Sequence, residues 1–154
     1  MMMKLITLYL KNSTFNMKVI HKTRLLAVNG KQLLVIEKIG ESKRYTLPGG
    51  VKKKKETLIE SLVRETAEEI GLIVIPERTK HMLSSSLQGK AAITKHYFLL
   101  KDKKTNDFSV LETQKFKDVY WTHWKKTLDY LDGEDRKAVK KYFKHLKKKT
   151  KTIV

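Results

Sequence analysis

The chain has 154 residues, a length that suits one domain with a real hydrophobic core. Hydrophobic residues make up 40% and charged residues 32%, which is a globular rather than a disordered composition. The absence of cysteine excludes disulfide frameworks, thiolate metal sites and cysteine nucleophiles, and it suits a reducing compartment. No apolar run approaches the roughly 20 residues of a membrane helix, so we expect a cytoplasmic protein.

The charge balance is strongly basic, with 34 Lys and Arg against 16 Asp and Glu and a formal net charge of +18. Such an excess can attract nucleotides, nucleic acid or an anionic membrane. Only five of the 34 are arginine, whereas specific phosphate or base recognition favours the planar guanidinium. Against this background, five acids fall within 14 positions: Glu56, Glu60, Glu65, Glu68 and Glu69. This local reversal of charge is the most informative feature of the sequence.

The predicted elements begin after an N-terminal extension, residues 1–16, which we interpret as an added edge strand or a tail. Two apolar runs within residues 19–38 surround an Asn29-Gly30 pair, a pattern that predicts a β-hairpin. We expect a single domain over residues 17–148, followed by a basic tail at 149–154. Strands and helices alternate without regular βαβ spacing, so the fold class is α/β with a mixed sheet.

A turn-rich loop ending in Gly49 and Gly50 leads into a helix that we predict at 58–70. Thr57 and Glu60 have the spacing of a capping box at the start of this helix. Gly71 stands where a glycine C-cap belongs. The sequence therefore predicts a loop followed by a well-delimited amphipathic helix.

The second half of the chain is predicted to be mostly β until its last helix. Residues 72–75 read as a buried strand stopped by Pro76, and residues 81–87 are expected to pair with 91–100. Another strand is predicted near residues 119–122, after a polar loop. The final helix carries its apolar face at Val139, Tyr142, Phe143 and Leu146, and its opposite face is lysine-rich.

Three glutamates share one face of the predicted helix at 58–70. Relative to Glu65, Glu69 lies about 40° away around the helix and Glu68 about 60° to the other side. Like charges at this spacing repel one another, so we expect a compensating positive group. Carboxylates are the hard oxygen ligands that Mg²⁺ or Mn²⁺ takes, whereas the alternative is a solvated acidic face neutralised by nearby lysines.

The acids stand within a longer pattern that resembles the signature of the Nudix hydrolase family, G-x5-E-x7-R-E-U-x-E-E-x-G-U, where U is a bulky aliphatic residue. The matching positions are Gly50, Glu56, Arg64, Glu65, Glu68, Glu69, Gly71 and Leu72. Thr66 replaces one aliphatic residue, and Lys55 stands where many members have glycine. The resemblance implies a Nudix-type α/β/α sandwich that contains a mixed sheet, the signature loop and helix, and a C-terminal helix.

The resemblance also implies a chemistry, namely divalent-metal-dependent hydrolysis of a pyrophosphate bond in a nucleoside diphosphate linked to a group X. The implied metal ligands are Glu65, Glu68, Glu69 and the carbonyl of Gly49, with Mg²⁺ or Mn²⁺ as cofactor. Glu65 and a later-loop carboxylate, for which Glu112 is the candidate, are alternative general bases. The other implied site residues are Arg64, which completes the catalytic set as an ion-pairing support, and Gly50, Glu56 and Gly71, which support the motif.

The substrate is less constrained by the sequence than the reaction. Tyr45 precedes the Gly49-Gly50 pair in a presumed loop and is the candidate for stacking on a base, while Arg44 is a candidate for a phosphate or a second substrate group. The expected partner is a small nucleotide, and a homodimer is possible. The alternatives are hydrolysis at the 5′ end of RNA, which the basic surface would favour, and a low-activity Nudix-fold module that binds nucleotides or nucleic acid.

Overall fold

The computed structural model describes residues 18–87, 89, 92–102 and 107–152; the predicted extension at 1–16 lies outside this part of the chain. Its strands are β1 (Val19–Asn29), β2 (Gln32–Lys38), β3 (Tyr45–Thr46), β4 (Thr79–Leu87), β5 (Ala92–Lys101) and β6 (Phe116–His123). Its helices are α1 (Leu58–Ile70), α2 (Trp124–Thr127) and α3 (Gly133–Thr152), with a 3-10 turn at Pro76–Arg78. None of these helices is long and apolar enough to cross a membrane.

The strands form one mixed sheet in the order β3-β2-β1-β5-β4, and β6 pairs with β2. The pair of β1 and β5 is parallel, whereas the other strand pairs are antiparallel. Helices cover both faces of the sheet, which confirms the expected α/β/α sandwich.

The two faces of the sheet are visible in the alternation of side chains along β1. Leu25 and Ala27 join a core cluster that contains Leu62 of α1, whereas Leu26 and Val28 join a second cluster that contains Phe143 of α3. Successive strand residues point to opposite faces, so residues 25–28 of β1 are buried on both sides. This double burial is why these four residues form a continuous apolar run.

The predicted hairpin forms, with a turn one residue later than the Asn29-Gly30 pattern suggests. Asn29 is still paired with Gln32, so the two-residue turn consists of Gly30 and Lys31. Gly30 has φ 57, and no residue other than glycine has a positive φ in the described chain. A glycine at the first central position with positive φ is the requirement of a type II′ turn.

Helix α1 begins and ends where the sequence predicts. The Thr57 hydroxyl accepts a hydrogen bond from the Glu60 N–H at 3.2 Å, which caps the first turn. At the other end Gly71 has φ 66, and its N–H donates to the Ala67 carbonyl at 3.0 Å. These caps fix the position of the glutamates with respect to the loop that precedes the helix.

The predicted strand at 72–75 is wrong. The segment is extended, with Leu72 and Val74 buried in the cluster that faces α1, but it pairs with no described strand. Ile73 is 82% exposed on the other side. Alternating burial alone makes the segment look like a strand, while its backbone runs outside the sheet; Pro76 then starts the 3-10 turn.

The later elements largely follow the prediction. Strand β4 pairs antiparallel with β5, and β6 includes the predicted residues 119–122. Val139 and Phe143 are buried on the apolar face of α3. Helix α3 extends to Thr152, so residues 149–152 of the predicted tail belong to it.

Candidate active site

The Gly49-Gly50 segment is bound to the edge of β1. Strands β1 and β2 pair only next to their turn, and farther along this segment lies against β1. The Leu25 N–H donates to the Pro48 carbonyl at 2.8 Å, and the Thr23 N–H donates to the Gly50 carbonyl at 2.9 Å. The segment thus satisfies backbone N–H groups of β1 that β2 does not pair there.

Only glycine fits at the centre of this segment. Gly49 has φ 136, and a Cβ atom there would lie 2.1 Å from the Thr23 carbonyl oxygen. At Gly50 a Cβ atom would lie 2.4 Å from the carboxyl carbon of Glu65. The two glycines therefore let the loop approach both β1 and the acidic face of α1.

Glu69 is the buried member of the acidic group, with 5% of its surface exposed. Its Oε1 accepts a hydrogen bond from the Gly49 N–H at 2.7 Å. Burial, together with the neighbouring Glu65 and Glu112 carboxylates, raises the pKa of Glu69 to about 8 against the opposing effects of the Gly49 N–H and Arg24. A cation near Glu69 would therefore stabilise the ionised form of its carboxylate.

Arg64 donates hydrogen bonds to the other acids of the signature. Its Nη1 donates to Glu65 Oε1 at 2.9 Å and to Glu68 Oε2 at 3.2 Å. Its Nε and Nη2 both donate to the Glu56 carboxylate. This pairing with Arg64, together with a hydrogen bond from the Lys53 N–H, lowers the pKa of Glu56 to about 2. Arg64 thus fixes the orientation of carboxylates at the entrance to the site.

Three carboxylates, those of Glu65, Glu69 and Glu112, line one cavity of about 540 Å³ beside the Gly49-Gly50 backbone. The same cavity is also lined by cations, namely Lys22, Arg24, Lys38 and Lys115. Glu68 does not line it, because its carboxylate lies with Arg64 and is 52% exposed. The cavity is therefore acidic where α1 meets the glycine loop and basic elsewhere.

Glu112 reaches the cavity because its loop docks on the C-terminal end of α1. The Ser109 N–H donates to the Ile70 carbonyl at 3.0 Å, and the Leu111 N–H donates to the Glu69 carbonyl at 2.9 Å. Lys115 Nζ lies 2.8 Å from Glu112 Oε2. The loop thus satisfies carbonyls that the helix end leaves without partners, and it delivers a further acid to the site.

The donor chemistry of this cavity fits a divalent metal ion, since carboxylate and carbonyl oxygens are the ligands of Mg²⁺ and Mn²⁺. In the described residues, no three acidic or histidine side chains are gathered at ligating distances. The reason is visible in the contacts: Glu65 and Glu68 are paired with Arg64, and Glu69 with the Gly49 N–H. Ligation by Glu65 and Glu68 would require these side chains to exchange Arg64 for the metal ion.

Tyr45 and Arg44, the substrate-binding candidates, lie beside a second cavity of about 290 Å³. Tyr45 belongs to β3 rather than to a loop, so its predicted location is wrong. It is 6% exposed, and the rings of Tyr120 and Tyr130 meet it edge-on. This packing favours a core role over stacking on a base. Arg44 is exposed at the cavity wall.

Sequence reasoning missed Lys22, Arg24 and Lys38, which line both cavities. A signal for two of them exists, because Lys22 and Arg24 alternate in phase with the buried Leu26 on β1. This face of β1 is charged at Lys22 and Arg24 and apolar from Leu26 onward. Such a change along one strand face is expected where the core ends and a pocket begins. Lys38 ends β2 and carries no comparable signal.

Residues 21–143 of the sequence match the family model of the NUDIX domain. The chain therefore belongs to the NUDIX family, and its class is that of nucleotide pyrophosphohydrolases. No protein of curated function matches the chain in sequence.

Solved structures resemble the chain in fold. The MutT protein from Methanosarcina mazei Go1 shares 18% identity at a TM-score of 0.68, covering 86% of this chain and 98% of that one. The MutT NUDIX hydrolase from Burkholderia pseudomallei shares 18% identity at 0.65, covering 80% and 97%. A C. elegans Ap4A hydrolase shares 15% identity at 0.61, covering 82% and 97%. At these identities the likeness concerns the fold alone.

Proposed function

We propose that the chain hydrolyses a phosphoanhydride bond in a nucleoside diphosphate linked to a group X and that it depends on Mg²⁺ or Mn²⁺. The observation that carries this proposal is the convergence of Glu65, Glu69 and Glu112 on one cavity against a glycine backbone. Pyrophosphate is polyanionic, so the carboxylates on the α1 side of the cavity repel it unless a metal cation lies between them. The facing cations, among them Arg24 and Lys22, suit the phosphates themselves.

Each side chain has a distinct role in this proposal. Glu65, Glu69 and the Gly49 carbonyl would hold the metal ion in the cavity, and Glu68, which lies outside it with Arg64, would have to leave Arg64 to join them. A bound divalent ion neutralises phosphate charge and lowers the pKa of a water molecule. Arg64 is a positioning residue, because it touches Glu65, Glu68 and Glu56 rather than the cavity.

The reaction itself requires one proton transfer. A water oxygen attacks phosphorus while the anhydride P–O bond breaks, and a carboxylate accepts the water proton, leaving two phosphorylated products. Glu112 is our candidate for this base, since it lines the cavity from a separate loop and is held by Lys115 rather than by Arg64. Glu65 is the alternative, because it lines the same cavity.

The similar structures support a small nucleotide as the substrate. They include a C. elegans Ap4A hydrolase and an E. coli dihydroneopterin triphosphate pyrophosphohydrolase. A 5′-triphosphorylated RNA also offers a phosphoanhydride bond, so it belongs among the compounds to be tested.

The test is chromatographic detection of the two phosphorylated products from a panel of nucleoside triphosphates, nucleotide sugars, dinucleoside polyphosphates and 5′-triphosphorylated RNA, with Mg²⁺ and with Mn²⁺. Glu69→Gln keeps an acceptor for the Gly49 N–H but removes the charge, and we expect turnover to fall by about a hundredfold or more. Glu77→Gln, an exposed carboxylate in the 3-10 turn, is the matched control. A fully active Glu69→Gln enzyme would contradict the proposal.

The base is identified by comparing Glu112→Gln with Glu65→Gln as a function of pH. If Glu112 accepts the proton, its variant loses the acidic limb of the kcat profile and retains affinity for the metal ion. Loss of metal affinity together with turnover is the expected result for Glu65→Gln. The opposite pattern would assign the base to Glu65.

A further inference from the structure

The second cavity, of about 290 Å³, continues the first. The two share the lining residues Lys22, Arg24, Lys38 and Thr46. Beyond these, the walls of the second cavity include Lys43, Arg44 and Lys95. A molecule whose phosphates lie at the carboxylates can therefore extend across Arg24 into the second cavity.

Positive charge dominates this second cavity. Six of its lining residues are Lys or Arg, against two aspartates, Asp129 and Asp132. One cation is neutralised, because Lys95 Nζ lies 2.6 Å from Asp132 Oδ2 and 3.2 Å from the buried Asp135. Within the described residues, Lys22, Lys38 and Arg44 make no ion pair. Most of the cationic wall is therefore uncompensated.

Arg24 stands at the junction of the two cavities with an unused donor. Its side chain is 13% exposed and its Nε lies 3.8 Å from Asp135 Oδ2, beyond hydrogen-bond distance. Among the described residues, Nε is one of the buried atoms without a hydrogen-bond partner. This buried atom faces Asp135 rather than solvent, but the positive charge of Arg24 lies in the wall of both cavities and attracts an anion placed between them.

Crowding among the cations is also visible at Lys22. Burial and the nearby Arg24 and Lys95 lower the pKa of Lys22. An anion placed between these side chains relieves their repulsion, whereas a neutral sugar or base leaves it unchanged. Phosphate suits such a wall best, because its oxygens accept several charge-assisted hydrogen bonds at once.

We propose that the second cavity binds a phosphate on the group X, so that the preferred substrates are nucleoside diphosphates whose second half is itself phosphorylated. This inference rests on the proposed function for the reaction and adds the class of X. Arg24, Lys22 and Lys38 would span both halves of the substrate, while Lys43 and Arg44 contact only the distal phosphate. Residues confined to the second cavity are therefore specificity-determining residues.

The test uses two substrates that differ in phosphate number alone, diadenosine diphosphate and diadenosine tetraphosphate. The double variant Lys43→Gln/Arg44→Gln removes two charges from the second cavity and none from the first. We expect its KM for the tetraphosphate to rise by about tenfold while kcat/KM for the diphosphate stays within about twofold. The control Lys141→Gln/Lys144→Gln removes two exposed charges from α3 and should change neither.

A binding measurement separates this inference from the proposed reaction. Titration of the full chain with inorganic tripolyphosphate, without divalent metal, should show about tenfold weaker binding in Lys43→Gln/Arg44→Gln than in the wild type. Equal affinities, or equal losses for both dinucleotides, would overturn the inference. Weaker tripolyphosphate binding combined with no hydrolysis of any compound would support the anion site and contradict the proposed function.

Discussion

The acidic helix α1 and the basic helix α3 each carry a cluster of like charges, but the two clusters differ in burial and in hydrogen bonding. On α1, Glu69 is buried and hydrogen-bonded to the Gly49 backbone, and Arg64 holds the other acids. On α3, Lys141 and Lys144 are exposed, and the helix contributes to the fold through its apolar side.

The difference shows what distinguishes a charged site from a charged surface. Like charges at one helix turn repel in either case, and water screens them on α3 at little cost. On α1, burial removes that screening, so the repulsion persists unless other groups compensate for it. Arg64 and the Gly49 N–H are such groups, and their geometry, rather than the count of charges, points to a function.

The largest effect should come from the apolar side of α3. Phe143 is 3% exposed and stacks on Trp124 with ring centroids 4.9 Å apart. Phe143→Ala should lower the free energy of unfolding by about 3–5 kcal/mol, measured by urea denaturation. Lys144→Ala, its exposed neighbour, should change it by less than about 0.5 kcal/mol. Similar losses for both would mean that the lysines also stabilise the fold.

The next effect concerns activity. Glu65→Gln should reduce kcat/KM by about a hundredfold, because it removes a carboxylate from the cavity in which we propose that hydrolysis takes place. Lys141→Gln/Lys144→Gln should leave kcat/KM for a small nucleotide within about twofold. Steady-state assays of both variants test this comparison. A large loss of kcat/KM in the lysine variant would show that α3 takes part in substrate binding, so that both helices would carry functional charges.

Part of the loss of stability at low pH should depend on Glu56. Its folded pKa of about 2 lies below its usual 4.5, so its interaction with Arg64 stabilises the fold above pH 4.5 and is lost as the pH falls from 4.5 towards 2. The Tm difference between the wild type and Glu56→Gln should therefore shrink over this range. Thermal unfolding of both proteins, with Glu77→Gln as control, measures it. A difference that is constant with pH would contradict this attribution.

The smallest effect is expected at Thr66, the one departure from the signature within α1. Thr66 is fully buried, and its hydroxyl donates to the Leu62 carbonyl at 2.9 Å, a group that the helix already satisfies. Thr66→Val keeps the shape and removes a redundant donor, so the free energy of unfolding should change by less than about 1 kcal/mol. A larger loss by urea denaturation would show that the hydroxyl is required beneath the site.

Local signals made α1 and the hairpin predictable from the sequence. Thr57, Gly71 and Gly30 act on the backbone within a few residues, so their effects can be read directly. The signature similarly predicted that Glu65 and Glu69 would share a face. The strand prediction for residues 72–75 was wrong because an extended segment with alternating burial has the same sequence pattern whether or not its backbone pairs with a sheet.

The rest of the cavity depends on contacts between distant parts of the chain. Glu112 reaches the site only because its loop caps the carbonyls of Glu69 and Ile70, and no pattern near Glu112 encodes that docking. Tyr45 looked exposed because it precedes a glycine loop, whereas Tyr120 and Tyr130 arrive from later in the chain to cover it. Such tertiary placement lies beyond a single-sequence pattern.

The hydrogen bonds from Thr23 and Leu25 to the glycine segment give the protein a built-in reporter. Because these two amides belong to a central strand, the segment cannot lift away without exposing them to solvent. Their hydrogen–deuterium exchange should therefore be as slow as that of the core, and any treatment that loosens the segment should accelerate both together. Amide exchange at two positions can thus follow the integrity of the Gly49-Gly50 segment without any substrate.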